Sequence, residues 1–70
     1  MKLSARNQLP GTVRTVTEGQ VMAEVVVDVE GGHEIVAAIT AESVRRLGLT
    51  KGSRVVAIIK STEVVLAVED

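Results

Sequence analysis

Three short polar clusters interrupt a chain that is otherwise largely aliphatic. The first, Ser4-Ala5-Arg6-Asn7, sets a hydroxyl, a guanidinium and a carboxamide side by side. The second, Ile39-Thr40-Ala41-Glu42-Ser43, offers two hydroxyls and the backbone N–H groups of a predicted helix start. The third, Lys60-Ser61-Thr62, adds an ammonium group, further hydroxyls and the Ser61 N–H. Hydrogen-bond donors dominate all three. A fully ionised tetrahedral oxyanion only accepts hydrogen bonds, so it needs a shell of donors and one or two positive charges. Arginine serves it with a planar fork and lysine with a point charge. Oriented N–H groups at a helix start add to the shell. If the clusters converge, they make an anion site. Each also has an ordinary structural use. Thr40 is placed to cap a helix, Ser43 to be a solvated helix residue, and Arg6 and Lys60 to be surface charges. Ser4 and Asn7 are placed to end a frayed segment. Spacing alone does not choose between these uses.

The elements that must position the clusters follow from periodicity. Leu9-Pro10-Gly11 opens a first strand, expected over 11–17, and Glu18-Gly19-Gln20 turns the chain. Residues 20–30 alternate with period two: Val21, Ala23, Val25, Val27 and Val29 share one face, and Met22, Glu24, Val26 and Asp28 the other. Gly31-Gly32 is a hairpin signal, with a third strand at 33–39. The period then changes. Thr40 as N-cap, a helix over 41–47 and Gly48 as its stop form one unit, with Val44 and Leu47 as the inward stripe. Thr50-Lys51-Gly52 turns again, and strands are expected at 53–60 and 64–68. Five strands with one short helix between the third and fourth give an all-β fold, an OB-like Greek-key barrel. No repeat, linker or low-complexity segment divides the chain, so residues 1–70 form a single domain.

Composition narrows what such a domain does. A chain of 70 residues is marginal alone and draws on disulfides, a metal or association for support. It has no cysteine and a single histidine, His33, which leaves association. Fourteen valines and no aromatic residue make the core aliphatic and β-prone. A net charge of −1 gives no global attraction to nucleic acid or to an acidic membrane. No apolar leader and no run of membrane-spanning length is present, so a cytoplasmic location is expected. His33 reads as a solvated turn residue and Met22 as core or interface filler.

In order along the chain, "SARNQLPGTV" at 4–13, "GQVMAEVVVDV" at 19–29, "IVAAITAESVRRLGLTKGSRV" at 35–55 and "AIIKSTEVVLAVED" at 57–70 resemble the molbindin (Mop) family, the stand-alone form of the TOBE domain. The resemblance runs over nearly the whole chain. It implies OB-like barrels assembled as hexamers, trimers of dimers, that bind molybdate or tungstate between subunits. Carried over residue by residue, it implies that Ser4, Arg6, Lys60 and Ser61 come from one chain and Thr40 and Ser43 from a neighbour. Backbone N–H groups near Ala5 and Ser61 complete the shell. Asn7 matches the motif and either touches the ligand or braces the loop. A second kind of site lies on the threefold axis of the family's hexamers. The 19–23 turn, with Gln20 and Val21, is the candidate for it here. Glu42 and Glu63 would repel a dianion and are expected to point away.

The resulting expectation is a cytoplasmic molybdate or tungstate binder for molybdenum storage and homeostasis, with no catalytic cofactor and with molybdenum present only as an oxyanion. The alternative is a TOBE module serving oligomerisation or sensing in a molybdate transporter or regulator, although the chain has neither a P-loop nor a DNA-binding helical region. A single-strand nucleic-acid reading needs aromatic platforms and a basic groove, and both are missing. A purely structural oligomerisation domain is a further reading. An enzyme has no nucleophile–base pair to support it.

Overall fold

The computed structural model describes residues 1–69; Asp70, the last residue of the expected single domain, lies outside the described residues. Four strands form one antiparallel sheet: β1 (Asn7–Glu18), β2 (Met22–Val29), β3 (His33–Thr40) and β4 (Arg54–Ile59). Their order is β3-β2-β1-β4, so β3 and β4 are the edges. A helix, α1 (Ala41–Leu47), separates β3 from β4, and a 3₁₀ turn, Ser61–Glu63, follows β4.

The hairpin joining β2 to β3 is the one its glycines announce. Gly31 and Gly32 adopt φ values of 86° and 79°, a region that costs glycine nothing and other residues strain. β1 begins earlier than its composition suggests. Residues 7–10 pair with β4 alone, because β2 joins the ladder only at Gly11↔Val29. Pro10 therefore has a ladder on one side only, where a missing N–H is tolerated. Further along, the register slips between Val13 and Thr15, leaving Arg14 as a bulge residue. Bulges re-aim side chains. Arg14 reaches Asp28 on β2 at 2.7 Å and Glu34 on β3, tying three strands together on the outer face. The hydrogen bond and charge of Asp28 raise the Arg14 pKa further, so this cation stays protonated throughout the useful pH range.

Period two in β2 decides the core. Ala23, Val25 and Val27 are buried and join Val13 of β1 and Val44 of α1. Burying one such valine contributes about 1.5–3 kcal/mol. Thr40 caps α1, its Oγ1 accepting from the Ser43 N–H at 3.0 Å, and Gly48 ends it in the left-handed region.

Two expectations fail. The inward stripe of α1 is Ala41 and Val44, not Val44 and Leu47: Leu47 is 62% exposed. Leu47 is the last residue of the helix, and it borders an apolar cleft rather than the core. The fifth strand is also absent: residues 64–69 have no sheet pairing among the described residues. Val65, Leu66 and Val68 have the composition of a strand, but they are about nine-tenths exposed. The expected five-stranded barrel is therefore a four-stranded open sheet. Residues from both of its edge strands line one apolar cleft of about 510 Å³. Composition reports a preference for extended backbone. Only a neighbouring edge turns that preference into a strand.

Candidate functional site

Antiparallel pairing of β1 with β4 brings together residues far apart in sequence. Asn7 stands opposite Ile59, so the segment entering β1 and the turn leaving β4 meet at one end of the sheet. There Ser4, Ala5, Arg6, Asn7 and Ser61 line a concavity of about 500 Å³. Two side chains brace it. Asn7 Nδ2 donates to the Ile59 carbonyl at 3.1 Å, and Gln8 Nε2 donates to the Ala5 carbonyl at 2.7 Å. The Asn7 contact is the loop-bracing alternative of the sequence reading. Gln8 was not foreseen. The only signal for it is an amide side chain directly after the donor cluster. Lys60 adjoins this site as the residue leading into the 3₁₀ turn, its carbonyl accepting from the Glu63 N–H at 2.9 Å. It is exposed and does not line the concavity.

The charge distribution suits an anion. Among the described residues the ion pairs join Arg14 to Asp28 and Glu34, and Arg45 to Glu18. Neither Arg6 nor Lys60 takes part in them, and no carboxylate of the described residues lines the concavity. Glu42 and Glu63 are exposed and stand outside that lining.

Thr40 and Ser43 lie elsewhere. Thr40 pairs with Met22, next to the Ala23↔Glu18 pair, at the far end of β1 from Asn7. β1 has twelve residues; at about 3.3 Å per residue its ends are roughly 35 Å apart measured along the strand. One chain does not bring the three clusters together. At this end the Thr40 hydroxyl donates to Ser43 Oγ at 2.7 Å, and a hydroxyl has one proton to give. Ser43 keeps its own. Two of the N–H groups expected to be free at the helix start are in use: Ala41 N–H bonds the Val21 carbonyl at 2.8 Å, and Ser43 N–H bonds Thr40. That first bond also holds the exposed Gln20-Val21 turn against α1, so both turn residues lie beside Thr40 and Ser43 and away from Ser4 and Ser61.

Thr40→Ala should lower stability by about 1 kcal/mol through loss of the cap. Thermal unfolding at matched protein concentration measures this, and Thr40→Ser should recover it. No change in Thr40→Ala would show that the cap contributes nothing.

The TOBE-domain family profile matches residues 3–66. The chain belongs to the TOBE-domain family. Among its relatives, molybdenum-pterin-binding protein 1 of Clostridium pasteurianum is 44% identical over 66 residues, covering 94% of this chain and 97% of that protein. A solved molybdate-binding protein from Sporomusa ovata superposes with a TM-score of 0.90 at 46% identity, over 96% of this chain and 98% of that one. The cytoplasmic molybdate-binding protein ModG, solved with molybdate bound, superposes with a TM-score of 0.84 at 48% identity, over 87% of this chain and 43% of that one. The resemblance read from the four sequence segments is thus to the right family. This TOBE domain is a mainly β structure with one short helix, similar to the molybdate-binding fold of those proteins. No helix among the described residues is long and apolar enough to cross a membrane, and among them no group of three acidic, histidine or cysteine side chains could hold a metal ion.

Proposed function

We propose that this TOBE domain binds molybdate or tungstate as a cytoplasmic storage and homeostasis protein, without catalysis, and that it does so as a homo-oligomer. The observation that carries the reading is the concavity of Ser4, Arg6, Asn7 and Ser61: donors, a guanidinium outside the ion pairs of the described residues, and no carboxylate among the described residues that line it. The similarity to molybdate-binding proteins over nearly the whole chain supports it.

Ser4 and Ser61 donate through hydroxyls, Arg6 through its fork, and the Ala5 and Ser61 N–H groups complete the near side. Lys60 adds charge from the rim. The concavity has far more room than one tetrahedral oxyanion fills, which leaves space for donors from a second chain. Ser43, with its hydroxyl proton uncommitted, and its partner Thr40 are the residues we assign to that role. The separation of the two clusters along β1 makes a subunit interface the way for them to meet. Gln20 and Val21 remain the candidates for a second site on a symmetry axis. Exposed apolar side chains on the outer faces of β3 and β4, including Val36, Val56 and Ile58, support association. A hexamer built as a trimer of dimers is the form we assign to it.

Calorimetric titration of the anion-free protein with molybdate, tungstate and sulfate, with the oligomer mass read on the same sample, tests the reading. The expected result is tight binding of the first two, weak binding of sulfate, and fewer anions than protein chains or an equal number, plus any axial sites. Absence of molybdate binding by a well-formed oligomer would overturn it.

A further inference from the structure

Residues 4–6 carry the Ser4 hydroxyl and the Arg6 guanidinium of the concavity, yet they lie outside the sheet, because β1 begins at Asn7. Among the described residues a single hydrogen bond reaches them: Gln8 Nε2 donates to the Ala5 carbonyl at 2.7 Å. Ser4, Ala5 and Arg6 take part in no other hydrogen bond of those residues. Gln8 itself stands opposite Ile58, is exposed and does not line the concavity, whereas Ala5 does. Its side chain folds back three residues along the chain rather than across to a neighbouring strand. It belongs neither to the core nor to the ion pairs of the described residues, and its one hydrogen bond is to the loop of the anion site. A peptide unit is planar, so fixing the Ala5 carbonyl also fixes the direction of the Arg6 N–H that shares its plane. A backbone carbonyl is an acceptor and repels an oxyanion unless a donor occupies it. The Gln8 amide occupies this one.

We propose that Gln8 is a positioning residue of the anion site: its carboxamide holds the Ala5–Arg6 peptide so that Ser4 and Arg6 meet the oxyanion already ordered. The proposal deepens the anion-binding reading above and rests on it. Gln8 does not touch the ligand and acts through the loop. A loop already held in its binding arrangement leaves less ordering to the binding step, and affinity rises accordingly. Asn7 is a different case. It lines the concavity and bridges β1 to β4 through the Ile59 carbonyl, so its substitution would mix contact, sheet and loop effects. Gln8 isolates the loop effect.

The test compares wild type with Gln8→Met and Gln8→Asn by calorimetric titration with molybdate, beside thermal unfolding at the same chain concentration. Gln8→Met keeps the length and flexibility of the side chain and removes the donor. Gln8→Asn keeps the carboxamide but shortens its reach by one methylene, and it covers failure of the first variant to fold. Both are expected to bind molybdate about three- to tenfold more weakly, the scale of one neutral hydrogen bond. Their unfolding midpoints should stay near that of wild type, as for other exposed positions. A general weakening of the fold can also lower affinity, so Gln8→Met is repeated in the Arg6→Ala background. Action through the Arg6 loop predicts that the Gln8→Met effect shrinks there to about twofold or less, whereas an independent structural effect carries over unchanged. Wild-type affinity in both variants, the same loss with and without Arg6, or a large fall in both midpoints would overturn the positioning role while leaving the anion site standing. A wild-type protein that binds no molybdate would overturn the site and the role of Gln8 together.

Discussion

Arg6→Ala is expected to weaken molybdate binding by about ten- to a hundredfold while leaving the fold unchanged. Charge-assisted hydrogen bonds are worth roughly 1.5–3 kcal/mol, and every 1.4 kcal/mol is about tenfold in affinity. The side chain is exposed, lines the donor concavity and has no carboxylate partner among the described ion pairs. Its removal therefore breaks no ion pair among the described residues, and the unfolding free energy should stay within about 0.5 kcal/mol. Arg6→Lys should fall between the two, since it keeps the charge and loses the planar fork. Titration calorimetry beside thermal unfolding separates the effects. Wild-type affinity in Arg6→Ala would remove Arg6 from the site, and a large loss of stability would show that it holds the fold instead.

A second large effect is expected at Gly11. This residue is buried in β1 and pairs with Val29 on one side and Val55 on the other. An added Cβ would meet the Asp28 carbonyl oxygen at 2.5 Å and Val27 Cγ1 at 2.7 Å. Val27 belongs to the buried core and Asp28 to the β1–β2 ladder, so neither atom yields without loss elsewhere. Overpacking of a core commonly costs about 1–3 kcal/mol and sometimes more. With a backbone atom as the obstacle, Gly11→Ala should reach the top of that range, about 3 kcal/mol. For a domain of this size that lowers the unfolding midpoint by roughly 12–24 °C. Gly32→Ala is the useful contrast. A Cβ there meets nothing within 4 Å, and the only cost is the positive φ, about 1–2 kcal/mol. Because association stabilises by mass action, the variants must be compared at one chain concentration. A Gly11→Ala midpoint within a few degrees of wild type would show that β1 and β2 can separate at this point without cost.

Much of the fold was legible in the sequence because local rules govern it. Period two over 20–30 identified β2 and its buried face, the paired glycines marked the hairpin, and Thr40 with Gly48 bracketed α1. These signals act over a few residues and do not depend on what packs against them. The donor clusters were legible for the same reason: a hydroxyl or guanidinium is a donor wherever it lies. The sequence by itself thus determined the family, the elements of β1 to β4 and α1, and the residue types suited to an anion.

Only tertiary structure decided which clusters share a site. The β1–β4 pairing joins Ser4 and Arg6 to Ser61, and the length of β1 keeps Thr40 and Ser43 apart from them. Hydrogen-bond direction likewise settled that the Thr40 proton goes to Ser43 and the Asn7 amide to Ile59. Leu47 and residues 64–68 failed their sequence assignments for one shared reason. Apolar composition reports that a side chain gains by burial, but whether burial is achieved depends on a surface elsewhere. In this chain that surface is a cleft with both of its bordering edges still open.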